Sequence, residues 1–353
     1  MMKLITLLSC FGFCLQAEER TTNLKSDERI VFYPSVAQRA KGDTNRWRAE
    51  IRGCVFEPEK RGWTLAMLRE ALDLKDVVMT PAEEEILNER ARLFLVDHER
   101  GKKVFIRLGT NEFYVGKSGA DGRFSGEITF PTLAAVSFNA VLKPGDGREF
   151  QGQLFPLEAE GVSVISDIDD TIKITEVSDR KTTLRNTFLR EFQAVPGMAQ
   201  LYQAIARSNR ASFHYISASP WQLYEPLAVF AGSSSFPAGT VELKQFRWKD
   251  RSFFSLFADP EKYKPSVIEP LLKQFPKRKF VLIGDSGERD PEIYGTLARK
   301  FPRQIARIYI RDVTNESADS ARYRVAFRNM PAANWRVFRE PGELQVETQG
   351  VLK

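Results

Sequence analysis

The chain has 353 residues, 42% of them hydrophobic and 11% aromatic, which is ordinary for a globular protein with a packed core. Its formal net charge of +6 comes from interspersed lysines and arginines, so charge does not require a nucleic acid partner and none is expected. Three cysteines and two histidines argue against a disulfide framework, a thiolate zinc site or a catalytic triad built freely around histidine. Carboxylates remain as the side chains best able to carry chemistry.

The first residues, MMKLITLLSCFGFCLQAEER, are typical of a secretory signal peptide, with one lysine, an apolar run and a small residue before charge begins. We expect residues 1–17 to be removed near Ala17 and the protein to be exported, either periplasmic or secreted. A lipoprotein anchor at Cys10 is disfavoured because the preceding apolar run is very short. The run also falls below the ~20 residues that a membrane-spanning helix needs. Cleavage would leave Cys54 as the single mature cysteine.

Residues 28–155 are predicted to form a small β-rich domain, either a sandwich or a barrel. Helix formation is expected only in TLAMLREALDL and PAEEEILNERA, with Thr80 as the cap of the second helix and Pro81 as its first residue. Short runs that alternate or are apolar, separated by turn residues, mark the strands. These runs are RWRAEIRGCVFEP, RARLFLVD, KKVFIRLG, NEFYVGKS, GRFSGEITF and AAVSFNAVL.

Residues 156–340 are predicted to form an α/β domain with a Rossmann-like parallel sheet covered by helices on both faces. Short apolar runs without alternation indicate buried strands, and helical segments separate them. The strands are VSVIS, FHYIS, KFVLIG and IARIYI; the helices are VPGMAQLYQAIARS, PSVIEPLLKQF and PEIYGTLARKF. His214 lies within one of these apolar strands and is expected to be structural.

Ligands of such sheets bind beyond the carboxyl ends of the strands, so the polar residues that follow each strand are the candidates for function. Asp167, Asp169 and Thr171 follow the first strand in the segment DIDDT, and Ser217 ends the second. A calcium loop is disfavoured, because DIDDTIKITEVS has isoleucine where an EF-hand needs glycine and serine where it needs glutamate. The remaining candidates are Asp285 and Asp290 in GDSGERD, and Lys264 just before a helix.

The order of these segments resembles the haloacid dehalogenase superfamily, whose four motifs occur in this sequence at strand ends. DIDDT is similar to the first motif and GDSGERD to the fourth, with one serine and one lysine between them. The segments GVSVISDIDDTIKITEV, YISASPWQLYEPL and FVLIGDSGERDPEIYGTLARKFP resemble more closely the catalytic domain of the actin-patch phosphatidate phosphatase family. The resemblance covers roughly residues 155 to 315.

The resemblance implies a chemical role for each candidate. Asp167 would be the nucleophile that forms an aspartyl-phosphate, and Asp169 the acid and base that handles protons. For that double duty we expect the pKa of Asp169 to be held up by its acidic surroundings. The phosphoryl oxygens would be held by Ser217 and Lys264. Mg²⁺ would be held by Asp167, Asp169 (through its backbone carbonyl), Asp285 and Asp290.

Three neighbouring residues receive a lesser interpretation. Asp170 is expected to cap the backbone or face solvent and to be nearly dispensable for chemistry. Thr171 is expected to shape the loop, and the role of Glu288 is left open.

The resulting prediction is a Mg²⁺-dependent phosphomonoesterase whose substrate is phosphatidate or a related lipid phosphate. The insert from Ser219 to Tyr263, which contains FRWKDRSFFSLF, is a candidate for peripheral membrane contact, with a partly buried loop as the alternative. For Arg180, Lys181 and Arg185 a solvated face is expected, with an anionic headgroup as the alternative. Two alternatives stay open: a phosphatase of a soluble sugar phosphate, nucleotide or phosphoprotein, and a cation-holding binding protein without turnover. The sequence gives no indication of oligomeric state.

Overall fold

The computed structural model describes residues 20–58, 69–70, 72, 74–75, 77–131, 136–245 and 260–344. The expected signal peptide, most of TLAMLREALDL and all of FRWKDRSFFSLF lie outside the described residues. Among the helices that are described, none is long and apolar enough to cross a membrane.

The N-terminal half is built on one curled sheet of nine strands, β1 to β9. The central path runs β1-β3-β2-β9-β8-β5-β6, and β4 and β7 add to β3. The pairs are antiparallel except for β2 with β9. The strands are β1 Arg29–Tyr33, β2 Ser35–Ala40, β3 Asp43–Pro58, β4 Val96–His98, β5 Lys103–Leu108, β6 Asn111–Lys117, β7 Arg123–Phe130, β8 Ser137–Ala140 and β9 Gln151–Pro156.

Helix α1, Pro81–Arg92, interrupts this sheet as predicted, with Thr80 as its cap and Pro81 in its first turn. A capping box forms between Thr80 and Glu83, whose side chains and backbone amides bind each other reciprocally. The expectation of a strand over RARLFLVD is wrong. The helix runs on through Ala91, which packs into the core, and only the short strand β4 remains extended.

The C-terminal half contains a six-stranded parallel sheet in the order β12-β11-β10-β13-β14-β15, which confirms the predicted α/β architecture. Its two outermost strands, β12 and β15, were not predicted. The strands are β10 Val162–Asp167, β11 Ser212–Pro220, β12 Gly239–Lys244, β13 Lys279–Asp285, β14 Ile305–Arg311 and β15 Trp335–Phe338.

Helices cover both faces of the parallel sheet, and the strands contribute alternate residues to two separate cores. Val164 of β10 belongs to one core and Ile165 to the other. The first core also contains Leu87 and Ala91 of α1, so that helix packs on the parallel sheet. The helices are α2 Arg180–Phe188, α3 Met198–Asn209, α4 Tyr224–Ser233, α5 Pro260–Gln274, α6 Asp290–Lys300 and α7 Ala321–Ala326, with a 3₁₀ turn at Trp221–Leu223.

The two sheets meet through a small buried cluster and an ion pair. Cys54 and Phe56 of β3 pack against Trp221, which follows β11. Beside them, both terminal nitrogens of Arg52 in β3 contact the carboxylate of Glu242 in β12. The seam therefore joins the curled sheet to the edge of the parallel sheet at β11 and β12.

Candidate active site

Three neighbouring parallel strands bring the predicted residues to one edge of the sheet. Strand β10 lies between β11 and β13. Asp167 is the last residue of β10, Asp285 is the last residue of β13, and Ser217 lies near the end of β11. All three side chains are buried. Parallel pairing places these carboxyl ends side by side, as the sequence predicted.

Lys264 occupies the centre of the acidic group. The helix α5 carries it into the site, where its Nζ lies 2.8 Å from Asp167 Oδ1, 2.8 Å from Glu288 Oε2 and 2.5 Å from Asp290 Oδ1. Burial alone would lower the pKa of Lys264, but the carboxylates of Asp167, Asp290 and Glu288 raise it well above its usual value. One buried ammonium thus faces three carboxylates.

Among the described residues, no hydrogen-bond partner is found for one buried oxygen of Asp167 and one of Asp285, namely Oδ2 in both. The other oxygen of Asp167 faces Lys264, and Oδ1 of Asp285 accepts hydrogen bonds from the amides of Gly287 and Glu288 at 2.6 and 3.1 Å. Burial raises the pKa of both aspartates well above the usual range. Two desolvated oxygens without donors are suited to a cation.

The geometry fits a hard divalent cation. Carboxylate oxygens of Asp167, Asp285 and Asp290 all lie within 4.8 Å of one another. Oxygen donors of this kind are the ligands that Mg²⁺ prefers. Asp290 differs from the other two, because one of its oxygens contacts Lys264 and the other accepts a hydrogen bond from the Asp285 amide at 3.2 Å. Its main contacts in this structure are therefore to protein groups.

Asp169 lies in a different environment, because both of its oxygens are fully engaged. Its Oδ1 lies 2.7 Å from Lys173 Nζ and accepts a hydrogen bond of 2.8 Å from the Thr175 hydroxyl. Its Oδ2 accepts hydrogen bonds from Ser217 at 2.7 Å and Ser219 at 2.9 Å. The expectation that the pKa of Asp169 is held up is wrong for this structure. Burial raises that pKa, but Lys173 and the hydroxyl donors lower it further.

Asp170 holds the loop that follows. Its backbone has a positive φ of 55°, and its carboxylate accepts hydrogen bonds from the amides of Thr175, Glu176 and Val177 at 2.8, 2.8 and 2.7 Å. Arg311 donates a hydrogen bond to its carbonyl. Of the two roles expected for Asp170, the structure favours capping over solvation, because the side chain is buried. The Asp170 carboxylate therefore binds backbone amides, and the acidic centre is formed by other residues.

Two other expectations concern hydroxyl and imidazole groups. The Thr171 hydroxyl is buried and has no hydrogen-bond partner among the described residues, so its expected role in shaping the loop stays a prediction. His214 binds the hydroxyls of Ser163 and Thr240 between neighbouring strands. Burial lowers the pKa of His214 to about 3, so its ring is neutral and structural, as expected.

Four residues of the site were missed or left open by the sequence: Lys173, Thr175, Ser219 and Glu288. Lys173 is 2% exposed, so its burial distinguishes it from the many surface lysines. A signal existed in the spacing, because Lys173 and Thr175 follow Asp169 within the same tight loop. Glu288 could be assigned only once α5 was seen to place Lys264 beside it.

Arg322 of α7 fixes the loop after β13 from outside. It donates hydrogen bonds of 2.6 Å to the Ser286 carbonyl and 2.5 Å to the Glu288 carbonyl. It also pairs with Glu292 at 2.9 Å. The positions of Asp285 and Glu288 thus depend on a residue that lies more than thirty positions later in the chain.

The fold and the site together define an α/β domain with a carboxylate-rich centre around a buried lysine at the carboxyl edge of its parallel sheet. Residues 162–312 match the family of the phosphatidate phosphatase APP1 catalytic domain. The match confirms the resemblance drawn from the motifs of this segment.

Two fungal proteins are similar over a longer stretch. Phosphatidate phosphatase APP1 of Saccharomyces cerevisiae is 34% identical over 252 residues, which is 67% of this chain and 42% of the yeast protein. An uncharacterised protein of Schizosaccharomyces pombe is 31% identical over 208 residues, which is 58% of this chain and 32% of that protein. The chain thus spans less than half the length of either relative.

Among solved structures, a haloacid dehalogenase-like hydrolase from Burkholderia xenovorans aligns with 53% of this chain and 96% of its own length. Its TM-score is 0.33 and its sequence identity is 9%.

Proposed function

We propose that the chain is a phosphomonoesterase that works through an aspartyl-phosphate on Asp167, with Mg²⁺ as cofactor and phosphatidate or a related lipid phosphate as substrate. One observation carries the reaction class: the buried Asp167 has one oxygen without a partner and the other beside Lys264, with Asp285 adjacent. This arrangement lies in the segment that matches the catalytic-domain family.

The first half of the reaction forms a bond between an Asp167 oxygen and phosphorus and breaks the bond from phosphorus to the ester oxygen. The departing alkoxide takes a proton from Asp169. Asp169 is held ionised in this structure by Lys173 and the hydroxyl donors. A bound phosphoryl group brings negative charge close to Asp169, which raises its pKa and favours the protonated form that this step needs.

The second half of the reaction needs the ionised form of Asp169, which Lys173 and the hydroxyl donors favour. An ionised Asp169 can accept a proton from water as that water attacks the phosphorus of the aspartyl-phosphate. This attack releases inorganic phosphate and regenerates Asp167. Asp167 ends β10, and Asp169 follows it by two residues. The two carboxylates can therefore take separate roles, Asp167 as the nucleophile and Asp169 in proton transfer.

Two further groups would bind the phosphoryl oxygens. Lys264 offers a compact positive charge next to Asp167. Ser217 has a single hydroxyl proton, which it donates to Asp169 Oδ2 in this structure. It would have to release Asp169 in order to donate to a phosphoryl oxygen, and Ser219 would then keep that carboxylate oxygen engaged.

The cation would be held by the free oxygens of Asp167 and Asp285, with Asp290 and the Asp169 carbonyl as the further ligands that the family resemblance implies. When bound, Mg²⁺ offsets the negative charge that otherwise keeps a phosphate away from a carboxylate nucleophile. The fit rests on two buried oxygens that lack donors and on their distance from one another.

The substrate class is supported by the name of the yeast relative, phosphatidate phosphatase APP1, and by the matching catalytic-domain family. We propose the peripheral membrane contact and export of the chain on the sequence features alone, since residues 1–17 and 246–257 lie outside the described residues. A soluble phosphomonoester would use the same chemistry at Asp167. A substrate panel therefore has to separate the two classes.

The test is phosphate release from phosphatidate in mixed micelles with Mg²⁺, beside a panel of soluble sugar phosphates, nucleotides and phosphopeptides. We expect turnover of the lipid, its loss on addition of a chelator, and a fall of about 1,000-fold or more in Asp167→Asn. Turnover only of soluble esters would overturn the lipid assignment. Release that is undiminished in Asp167→Asn would overturn the mechanism, and cation binding without any turnover would favour a binding protein.

A further inference from the structure

A cavity of about 580 Å³ lies at the seam between the curled sheet and the parallel sheet. Strands β1, β6 and β7 contribute Tyr33, Lys117 and Arg123 to its wall. The opposite wall contains Trp221 and Tyr263, which belong to the C-terminal half of the chain. None of the aspartates of the acidic centre lines it. The cavity is therefore a separate feature that neither half of the chain could form by itself.

Three hydrogen-bond donors line this cavity, and none of them has a carboxylate acceptor within the described residues. The Tyr33 hydroxyl is buried with no described acceptor for its proton, and the Arg123 guanidinium lies close enough to interact with its oxygen. The guanidinium of Arg123 lies over the Trp221 ring, 5.7 Å from its centroid, and forms no ion pair with a carboxylate within the described part of the chain. Lys117, exposed at the rim, likewise has no described carboxylate partner. A buried hydroxyl without an acceptor for its proton costs about 1–3 kcal/mol, so it indicates an absent acceptor.

The remaining charges of the cavity do not neutralise these donors. Glu242 also lines the wall, but its two oxygens are both engaged by Arg52. Glu50 supplies one further carboxylate. The lining thus holds Arg52, Lys117 and Arg123 against Glu50 and Glu242, an excess of one positive charge.

We propose that this cavity is a binding site for a phosphate-type oxyanion, free or esterified, distinct from the acidic centre. A guanidinium, a hydroxyl and an ammonium that line one cavity from different strands offer three donors to the separate oxygens of a tetrahedral anion. A flat carboxylate offers only two oxygens to the three donors. The cavity is also far larger than one anion, and its tyrosine and tryptophan side chains could pack against the organic part of an ester.

The position of the site links it to the acidic centre. Trp221 follows Ser219, which donates to Asp169, by two residues. Tyr263 directly precedes Lys264. An anion held between Arg123 and these aromatic residues would join the two sheets next to both segments. The inference does not depend on the proposed function, because the anion would bind here whether or not the acidic centre turns over a substrate.

The experiment is calorimetric titration of the full chain in the presence of a chelator at low ionic strength. Without a cation, the carboxylates of the acidic centre repel phosphate, which leaves the cavity as the site to be measured. Inorganic phosphate is the probe in one arm. Dihexanoyl phosphatidylglycerol below its micelle concentration is the probe in the other, and its phosphodiester cannot be hydrolysed by a phosphomonoesterase. Similar affinities would indicate a site for the free anion, and tighter binding of the lipid a site for a headgroup.

We expect Arg123→Gln to weaken binding of the better ligand by about tenfold or more, because one charge-assisted contact is lost. Tyr33→Phe should weaken it by about threefold, since only the hydroxyl is removed. The matched control is Arg107→Gln, which removes the same charge from an exposed pair with Glu112 away from the cavity. It should leave the affinity unchanged.

Two results would overturn the proposal. The first is the absence of binding by either probe at millimolar concentration. The second is binding that is as tight in Arg123→Gln and Tyr33→Phe as in Arg107→Gln. If Arg123→Gln does not fold, as judged by its circular dichroism, Tyr33→Phe and Lys117→Gln take over the comparison, because both keep the aromatic seam intact.

Discussion

The carboxylates of the loop after β10 and those at the ends of β10 and β13 have opposite surroundings. In the loop that follows β10, Asp169 and Asp170 are saturated by hydroxyl, ammonium and amide donors. At the strand ends, Asp167 and Asp285 each keep one buried oxygen with no donor. In the loop, protein groups supply the donors for both carboxylates. At the strand ends, one oxygen of each aspartate is left for a ligand by the described residues.

Carboxylates that are surrounded by donors stabilise the fold, whereas carboxylates with a free oxygen are available to a ligand. Satisfying a buried carboxylate strengthens the native state, and leaving it unsatisfied weakens it. The folded state is therefore less stable than it would be if donors bound the free oxygens of Asp167 and Asp285. Substitution of Asp170 in the loop after β10 should therefore lower mainly stability, and substitutions at the strand ends should lower mainly activity.

The largest effect on stability is expected at Lys264, whose ammonium group is buried among several carboxylates of the acidic centre. Lys264→Met would leave Asp167, Asp290 and Glu288 buried without their common cation. We expect the free energy of unfolding to fall by about 3–5 kcal/mol, together with loss of phosphate release. Urea denaturation measures it, with the exposed Lys262→Met as the control. Equal stabilities of the two variants would contradict the central role given to Lys264.

The saturated loop is tested at Asp170. Asp170→Ala removes the acceptor of three backbone amides, and we expect a loss of about 3 kcal/mol in the free energy of unfolding. The rate of phosphate release by the folded fraction should change by less than about threefold, because the side chain faces the backbone. Asp179→Ala, which removes an exposed helix cap, should cost only about 1 kcal/mol. A large fall in rate at unchanged stability would reverse the roles of the two regions.

The unsatisfied pair is tested by the cation. Mg²⁺ at about one hundred times its dissociation constant should stabilise the chain by about 2.7 kcal/mol, because it binds the native state alone. Thermal unfolding with and without Mg²⁺ measures this shift. Asp285→Asn should lose most of it, and Asp146→Asn, at a half-buried residue of the N-terminal half, should keep it. Full stabilisation of Asp285→Asn would place the cation elsewhere.

The smallest effect is expected for the two serines that share Asp169. Ser217→Ala and Ser219→Ala each remove one hydrogen bond to the same carboxylate oxygen and should each cost about 1 kcal/mol of stability. Only Ser217 is proposed to hold a phosphoryl oxygen, so kcat/KM should fall about tenfold or more in Ser217→Ala and less than threefold in Ser219→Ala. Equal kinetic effects would remove the distinct role of Ser217.

The sequence predicted the interior of the parallel sheet better than its edges. Strands β10 and β13 are buried on both faces and therefore appear as continuous apolar runs. The edge strand β12 contains GTVELK, whose residues are mostly half-buried, and its polar positions hide the strand pattern. RARLFLVD was expected to be a strand because of its apolar residues, but its first residues end α1, where Ala91 packs into the core.

The candidate site could be predicted where the chemistry follows a strand end and could not where tertiary contact sets it. Asp167 and Asp285 are recognisable because each directly follows an apolar run. The donors Lys173 and Ser219 have no such marker, and their role depends on the fold of the loop around Asp169. The pKa of Asp169 was wrongly expected to rise, since counting nearby carboxylates in the sequence does not reveal how many donors surround each one.

The most direct test of the central claim is to identify the phosphorylated residue. The chain would be mixed with lipid phosphate and Mg²⁺, quenched in acid within a single turnover, digested, and examined by mass spectrometry. We predict a phosphoryl group on the peptide that contains DIDDT, located at Asp167, and no label in Asp167→Asn. A phosphoryl group on another residue, or turnover at the full rate with no labelled peptide, would contradict the assignment of Asp167 as the nucleophile.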